Sequence, residues 1–396
     1  MNWVKQVVAE HAESEAPERF FYWAALAAIS ATVRKNVSLD RFYYRLYPNI
    51  YVFLVAKSGM KKSIPITMCK GLLTRANCTR VVSGRTSIQA VLKDFGKACS
   101  LKNGAAPLLE AHGILLSGEL ASFLVEDPAA LTILTDLHDT HAYPEEWINN
   151  LKIAGIDKLK APCIQVLGAT NEEHFSDAVP ANAIGGGFIA RTFIVFSDQR
   201  GKLNSLTERP KLVPDLDKLT TRLLEIKSLK GDFTWADSAK RLYDAWYYAF
   251  MSEPRHDPTG TYNRIGDQVI KVAMLLALGE GDDLVLTKPI IEEALVECLD
   301  CTNGMKQITM GAGAATLSRQ TKLVLRDLIS RPDHKIERQR LLQKYWGEFD
   351  AFDLDRIIET LLGAGAITKE MHGTKVTYTL KKDTLDAYTS LKRSIQ

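Results

Sequence analysis

The chain has 396 residues, 46% hydrophobic and 24% charged, and its 50 basic and 47 acidic side chains leave a formal net charge of +3. Such a composition excludes a disordered chain, a collagen-like fibre and a disulfide-stapled miniprotein. At roughly 100–200 residues per domain, two to four domains are expected. So small a net charge does not by itself demand nucleic acid, so the distribution of charge matters more.

Residues 1–15 carry His and several acids without an apolar h-region, so no signal peptide is expected. No run reaches the ~18 apolar residues of a membrane span, and a cytoplasmic protein in a reducing compartment is expected. Six cysteines are scattered along the chain. Cys298 and Cys301 form one CxxC inside a helical pattern with no second ligand pair, which reads as a buried helix face rather than a metal or redox site.

Residues 2–34 read as two helices parted near Pro17, the second (20–33) apolar enough to be packed on both sides. Residues 49–56 (NIYVFLVA) form a continuous β-branched and aromatic run, the pattern of a fully buried strand in a parallel sheet. A short Gly- and Lys-containing loop leads into a helix from Ser63 to about Arg75. Further apolar runs follow at 79–83, 113–116, 163–167 and 192–196, with helical patterns between them. Strands alternating with helices predict an α/β three-layer domain. Residues 200–230 read as a polar connecting segment and 235–307 as helical. The GAGAAT stretch at 311–316 reads as a linker. Three helices (321–330, 338–345, 353–362) and two strands around His372-Gly373 then predict a winged helix. The expected organisation is an N-terminal helical segment at 1–45, an α/β core at 46–230, a helical part at 231–310 and a winged-helix domain at 318–396.

Chemistry concentrates where the first strand meets its helix: Ala56-Lys57-Ser58-Gly59-Met60-Lys61-Lys62-Ser63. The Walker A pattern is GxxxxGK[ST]. Lys62 and Ser63 fill its last two positions, while Ala56 and Lys61 replace its glycines. A loop between a buried strand and a helix N-terminus can hold phosphates on backbone N–H groups. Ser58, Gly59, Met60, Lys61, Lys62 and Ser63 are therefore the candidate ATP-binding residues, with Lys62 on the β- and γ-phosphates and Ser63 on Mg²⁺. The bland alternative is a basic surface turn. The run at 113–116 continues through Ser117 and Gly118 to Glu119, a candidate catalytic base and Mg²⁺-site acid. Gly118 stands where a second acid is expected, which leaves that carboxylate to Asp136 or Asp139 unless these are solvated helix-end residues. The third run ends at Asn171, a sensor of the γ-phosphate or a helix cap. Three glycines, 185–187, precede Arg191, an arginine finger for an adjacent subunit or a partner in an internal salt bridge.

The ordered set resembles the helicase-like P-loop ATPases of phages, plasmids and other mobile elements, distantly similar to the minichromosome-maintenance helicases of the AAA+ class. The resembling pieces are residues 46–51 leading into 58–63, then Leu116-Ser117-Gly118-Glu119-Leu120, Gly168-Ala169-Thr170-Asn171 and Gly186-Gly187-Phe188-Ile189-Ala190-Arg191. Residues 263–265 with 270–278 resemble the lid of those helicases, and this implies that Arg264 is a second sensor arginine; otherwise it is a surface residue at a helix start. The resemblance spans roughly residues 15–310. It implies an AAA+ core, ATP and Mg²⁺ as cofactors, a homo-oligomeric ring of six subunits and DNA as partner, with priming left to a separate protein.

Residues 318–396 carry 15 Lys/Arg against 11 Asp/Glu, so the positive excess lies on the tail. Arg331, Lys335, Arg338, Arg340 and Lys344 cluster around its second helix, and Lys369, Lys375, Lys381 and Lys382 mark the wing. Such a surface suits phosphate contacts, while the interspersed acids leave a protein-contact role open. Lys152, Lys158 and Lys160 are candidate pore-loop contacts to single strands. The leading expectation is an ATP-driven DNA motor, a replicative helicase or translocase. The alternative is an ATP-switched initiator or helicase loader that does not unwind.

Overall fold

The structure is a computed structural model that describes residues 2–84, 86–97, 110–127, 129–143, 145–151, 155–172, 174–175, 187–205, 207, 212–254, 257, 259–312, 316–373 and 375–385. The chain divides into two compact units, Met1–Ile308 and Thr309–Gln396.

The first unit is built on five strands: β1 Tyr51–Val55, β2 Arg80–Ser83, β3 His112–Ser117, β4 Cys163–Thr170 and β5 Thr192–Phe196. They form one all-parallel sheet in the order β2-β3-β4-β1-β5. All five residues of β1 and all eight of β4 are buried, as their unbroken apolar character requires. Because side chains alternate, β1 sends Val52 and Leu54 to one face and Tyr51, Phe53 and Val55 to the other. Each face has its own apolar core, so the sheet is the middle of three layers.

One layer holds α1 (Trp3–Glu10), α2 (Glu18–Val33) and α3 (Ser63–Ala76). Residues 20–33 of α2 are all buried, so this helix is surrounded by its neighbours. The other layer holds α4 (Ile88–Lys97), α5 (Leu120–Glu126) and α6 (Ala129–His138). A correction concerns residues 200–230, which are not only a connection. Leu216–Ser228 forms helix α7, whose Leu219, Leu223 and Ile226 lie on one face and are buried against α2 and α3. Its stripe recurs at i, i+4 and i+7, but Lys, Thr and Arg between the apolar positions obscure it. The unit continues with α8 (Asp237–Ser252), α9 (Thr261–Glu280) and the greater part of α10 (Lys288–Ala312). An antiparallel hairpin, Glu146–Leu151 with Gly155–Lys160, stands immediately before β4.

In the second unit, helix Thr316–Ser330 is followed by strand Lys335–Glu337, helices Arg338–Lys344 and Ala351–Gly363, and the hairpin Ile367–His372 with Lys375–Leu380. The short strand pairs with Lys375–Leu380 and completes a three-stranded antiparallel sheet. At three residues it is too brief to carry a readable alternation. Val324, Leu328, Ile336, Leu341, Leu354, Ile357 and Tyr378 form this unit's own core. Among the described residues, no helix is long and apolar enough to cross a membrane.

Candidate nucleotide-binding site

Strand register decides which side chains meet. Val55 pairs with Thr170 on one side and Phe196 on the other, and Ser117 pairs with Gly168. Ala56, Asn171, Ser197 and Glu119 therefore all leave the sheet at its carboxyl edge. In open α/β sheets the crevice outside that edge is where ligands bind.

The loop after β1 turns twice through left-handed backbone, at Gly59 (φ 81°) and Lys61 (φ 54°). Glycine adopts this conformation freely, whereas for lysine it costs about 1 kcal/mol. At the position where the Walker A pattern has its second glycine, the chain keeps a glycine-like turn with a lysine in place. Lys62 folds back over the loop, its Nζ donating to the carbonyls of Ala56 (2.7 Å) and Lys57 (2.9 Å). Partial burial lowers the pKa of this amine, and the charges of Glu119 and Glu172 oppose that shift. No side chain caps the N-terminus of α3. The loop thus presents a helix start, a cation and turning backbone, the parts that accept a phosphate chain.

Glu119 is exposed and sits at the turn between β3 and α5. Its place is set by packing: at Gly168 in β4, a Cβ would lie 2.3 Å from a methyl of Leu120. Only a glycine lets α5 start this close to the sheet. Asn171 lies at the end of β4, the strand between β1 and β3. Its Oδ1 accepts from the backbone N–H of His174 (2.7 Å), and its Nδ2 is 3.2 Å from His174 Nδ1. Asn171 therefore makes the cap contact while standing beside the loop. His174 Nδ1 is also 3.8 Å from Glu119 Oε2. Glu172 and His174 escaped the sequence reading, although both follow Asn171 at a strand end, where polar residues are commonly functional.

A cavity of about 500 Å³ opens beside the loop. Lys61, Ser63, Ile64 and Thr67 line it with Glu10, Glu13 and Glu15, and Met68, Leu212, Pro214 and Leu216 add apolar surface.

Arg191 and Arg264 lie elsewhere. Arg191 precedes β5 and Arg264 is in the first turn of α9, and both turn toward Asp139. Arg191 Nε donates to Asp139 Oδ1 at 3.1 Å, its Nη2 donates to Oδ2, and its Nη1 donates to the Gly187 carbonyl at 3.0 Å. Arg264 Nη1 is 3.7 Å from the same carboxylate. This cluster stands at the amino edge of the sheet. Five residues of β1 at ~3.3 Å each put it roughly 15 Å from the phosphate loop of its own chain. Arg264 consequently does not reach that loop as a sensor within one chain. Asp139 is engaged by the two arginines and is no metal acid there; Asp136, one turn earlier on α6, is equally remote.

The same cluster buries Lys271, whose Nζ donates to the carbonyl (3.0 Å) and Oδ1 (2.9 Å) of Asn49. Burial lowers the pKa of Lys271 to about 8. Burial, with the charge of Lys271, lowers that of His138 to about 3. Burial works against ionisation of Asp139, but hydrogen bonds from His138 and Arg191 hold its carboxyl well below the usual range.

In the second unit, four of the basic residues singled out from sequence are paired internally, among them Lys375, 3.8 Å from Glu337. Arg338 forks onto Asp355 (2.9 and 3.0 Å), while Arg331 (3.3 Å) and Lys344 (2.6 Å) share Asp327. Lys369, Lys381 and Lys382 are exposed on and beyond the hairpin, as is Lys375 beside Glu337. In the hairpin of the first unit, Lys158 is exposed and 3.5 Å from Glu146, and Lys160 is also exposed. Lys152, Gly185 and Gly186 lie outside the described residues. Cys298 and Cys301 are buried on α10, and burial pushes both thiols up.

No protein-family model and no curated protein matches the sequence. The architecture is that of an α/β protein whose five-stranded parallel sheet, flanked by helices, is consistent with a Rossmann-like or P-loop-like core.

Proposed function

We propose that the chain is an ATP-driven motor on DNA, a replicative helicase or single-strand translocase of a mobile genetic element, with an AAA+ core working as a ring. The observation that carries this reading is the meeting of Lys62, Glu119 and Asn171 at one sheet edge, from three different strand ends. Residues 58–63 would cradle the phosphates, with Lys62 exchanging its loop carbonyls for phosphate oxygens. The cavity beside α3 would take the nucleoside, its apolar side chains against the base. Ser63 and Glu119, with Glu172 close to Lys62, would supply the oxygen ligands Mg²⁺ prefers. The bound ion would supply charge neutralisation on the β- and γ-phosphates. Glu119 would accept the proton of the attacking water, and Asn171 would orient that water beside the γ-phosphate. Catalysis of this kind rests on positioning and charge rather than covalent chemistry.

Arg191 and Arg264, remote from their own loop, suit a site on a neighbouring subunit. A surface that differs from the one it contacts forms a head-to-tail interface, which closes into a ring; the number six comes from the resemblance. Asp139 would hold both arginines until a phosphate competes. The hairpin before β4, with Lys158 and Lys160, would grip a single strand. The second unit, read as a winged helix, would meet DNA through exposed basic residues, Arg340 on its second helix and Lys369, Lys381 and Lys382 on and beyond the wing.

ATP hydrolysis with and without single-stranded DNA, on the wild type and Lys62→Ala, tests this reading. The expected result is stimulation by single strands that vanishes in Lys62→Ala. One observation favours a second reading, an ATP-switched initiator or loader. Gly118 carries no carboxylate, although a Cβ there would meet nothing within 4 Å. A site lacking that acid hydrolyses slowly, so tight ATP binding with negligible turnover would sink the motor and favour the switch.

A further inference from the structure

We propose that Arg200 is a phosphate-binding residue of the nucleotide site in its own chain, and that it provides there the arginine that Arg264 is too remote to provide. The inference rests on the reading of residues 58–63 as a phosphate loop.

Three observations carry it. The first is proximity: Arg200 Nη2 lies 3.8 Å from the position a Cβ would take at Gly59, at the turn of the loop. The second is availability. Arg45, Arg75, Arg80, Arg191 and Arg222 each hold a carboxylate. Arg200 has no hydrogen-bond or ion-pair partner among the described residues. The third is anchorage on both sides. Upstream, the Ser197 N–H donates to the Val55 carbonyl (3.1 Å) and the Gln199 N–H to Ser197 Oγ (3.3 Å). Downstream, the Gly201 N–H donates to the Glu15 carbonyl (3.0 Å) and Lys202 pairs with Glu13 (2.5 Å). At Gly201 a Cβ would lie 2.4 Å from the carbonyl oxygens of Ser14 and Ala16, so the backbone is pressed directly against that segment. A pinned backbone with an unpaired guanidinium at the loop is a preorganised anion contact. The planar fork of arginine fits two phosphate oxygens at once, which an ammonium cannot do.

The test is titration of a fluorescent ATP analogue with Mg²⁺ into the full chain, for wild type, Arg200→Ala, Arg200→Lys and Lys62→Ala. Arg200 is exposed, so its substitution leaves the fold intact, and a thermal melt checks this. Arg200→Ala is expected to weaken binding roughly 10–100-fold, the range of a hydrogen bond to a charged group. Arg200→Lys is expected to recover part of the loss, because the charge returns without the fork. Wild-type affinity in Arg200→Ala, with affinity lost in Lys62→Ala, would overturn the proposal and leave the phosphate loop standing. Undiminished binding in Lys62→Ala, or no binding by the wild type, would remove the phosphate-loop reading and Arg200 with it.

Discussion

Gly168→Ala tests whether packing under the sheet edge positions the proposed catalytic base. The added methyl would sit 2.3, 2.6 and 2.9 Å from Cδ2, Cβ and Cγ of Leu120. Carbon atoms pack at about 3.5–4.0 Å, so α5 must retreat by more than ~1 Å. Leu120 is fully buried among other side chains. Overpacking of this kind costs about 1–3 kcal/mol, and a thermal melt should show a lower midpoint. Glu119 precedes Leu120 and moves with it, whereas Lys62 sits on the other side of β4 and is untouched. A 1 Å misplacement can cost about 100-fold in rate. The expected outcome is ATP hydrolysis reduced by about that factor, with nucleotide affinity near wild type. A full rate in a protein whose melting point has fallen would refute the positioning argument. A proportional loss of affinity would show that loop and base are not independently placed.

Two further outcomes follow from buried ionisable groups. His112 and His138 are held neutral, burial lowering their pKa values to about 4 and about 3; Arg34 adds to this at His112 and Lys271 at His138, while the Glu110 carbonyl and Asp139 respectively oppose it. The unfolded chain binds these protons near pH 6.5 and the folded chain does not, so stability is full above that pH and falls as pH drops toward 4. By pH 5 the loss is roughly 2 kcal/mol for each histidine; a melting point unchanged between pH 7.5 and 5 would contradict it. Asp139→Asn removes the carboxylate that faces Arg191 and Arg264. Arg191 keeps only 11% of its side chain exposed, so its uncompensated charge should cost about 3–5 kcal/mol in denaturant unfolding. A loss below 1 kcal/mol would show that the pair is not a stabilising contact.

The sequence by itself determined what depends on near neighbours. The unbroken apolar run at 51–55 could only be a buried strand, and a loop ending in Lys62-Ser63 could only open a helix where it stands. The three helices and hairpin of the tail were likewise written in their spacing and turn residues. The stripe of α7 and the three-residue strand at 335–337 were not legible, because local polarity or brevity conceals their period. The tertiary structure alone decided which charged groups meet. Strand order brings Asn171 between the loop and Glu119, adds Glu172 and His174, and sends Arg191 and Arg264 together onto Asp139 at the far edge. It also carries Arg200, some 140 residues along the chain, to Gly59. Parallel strands are joined by long crossovers, so their order arises from side-chain packing between distant segments. Local spacing holds no record of that packing, and the site's electrostatics therefore emerged only with the assembled sheet.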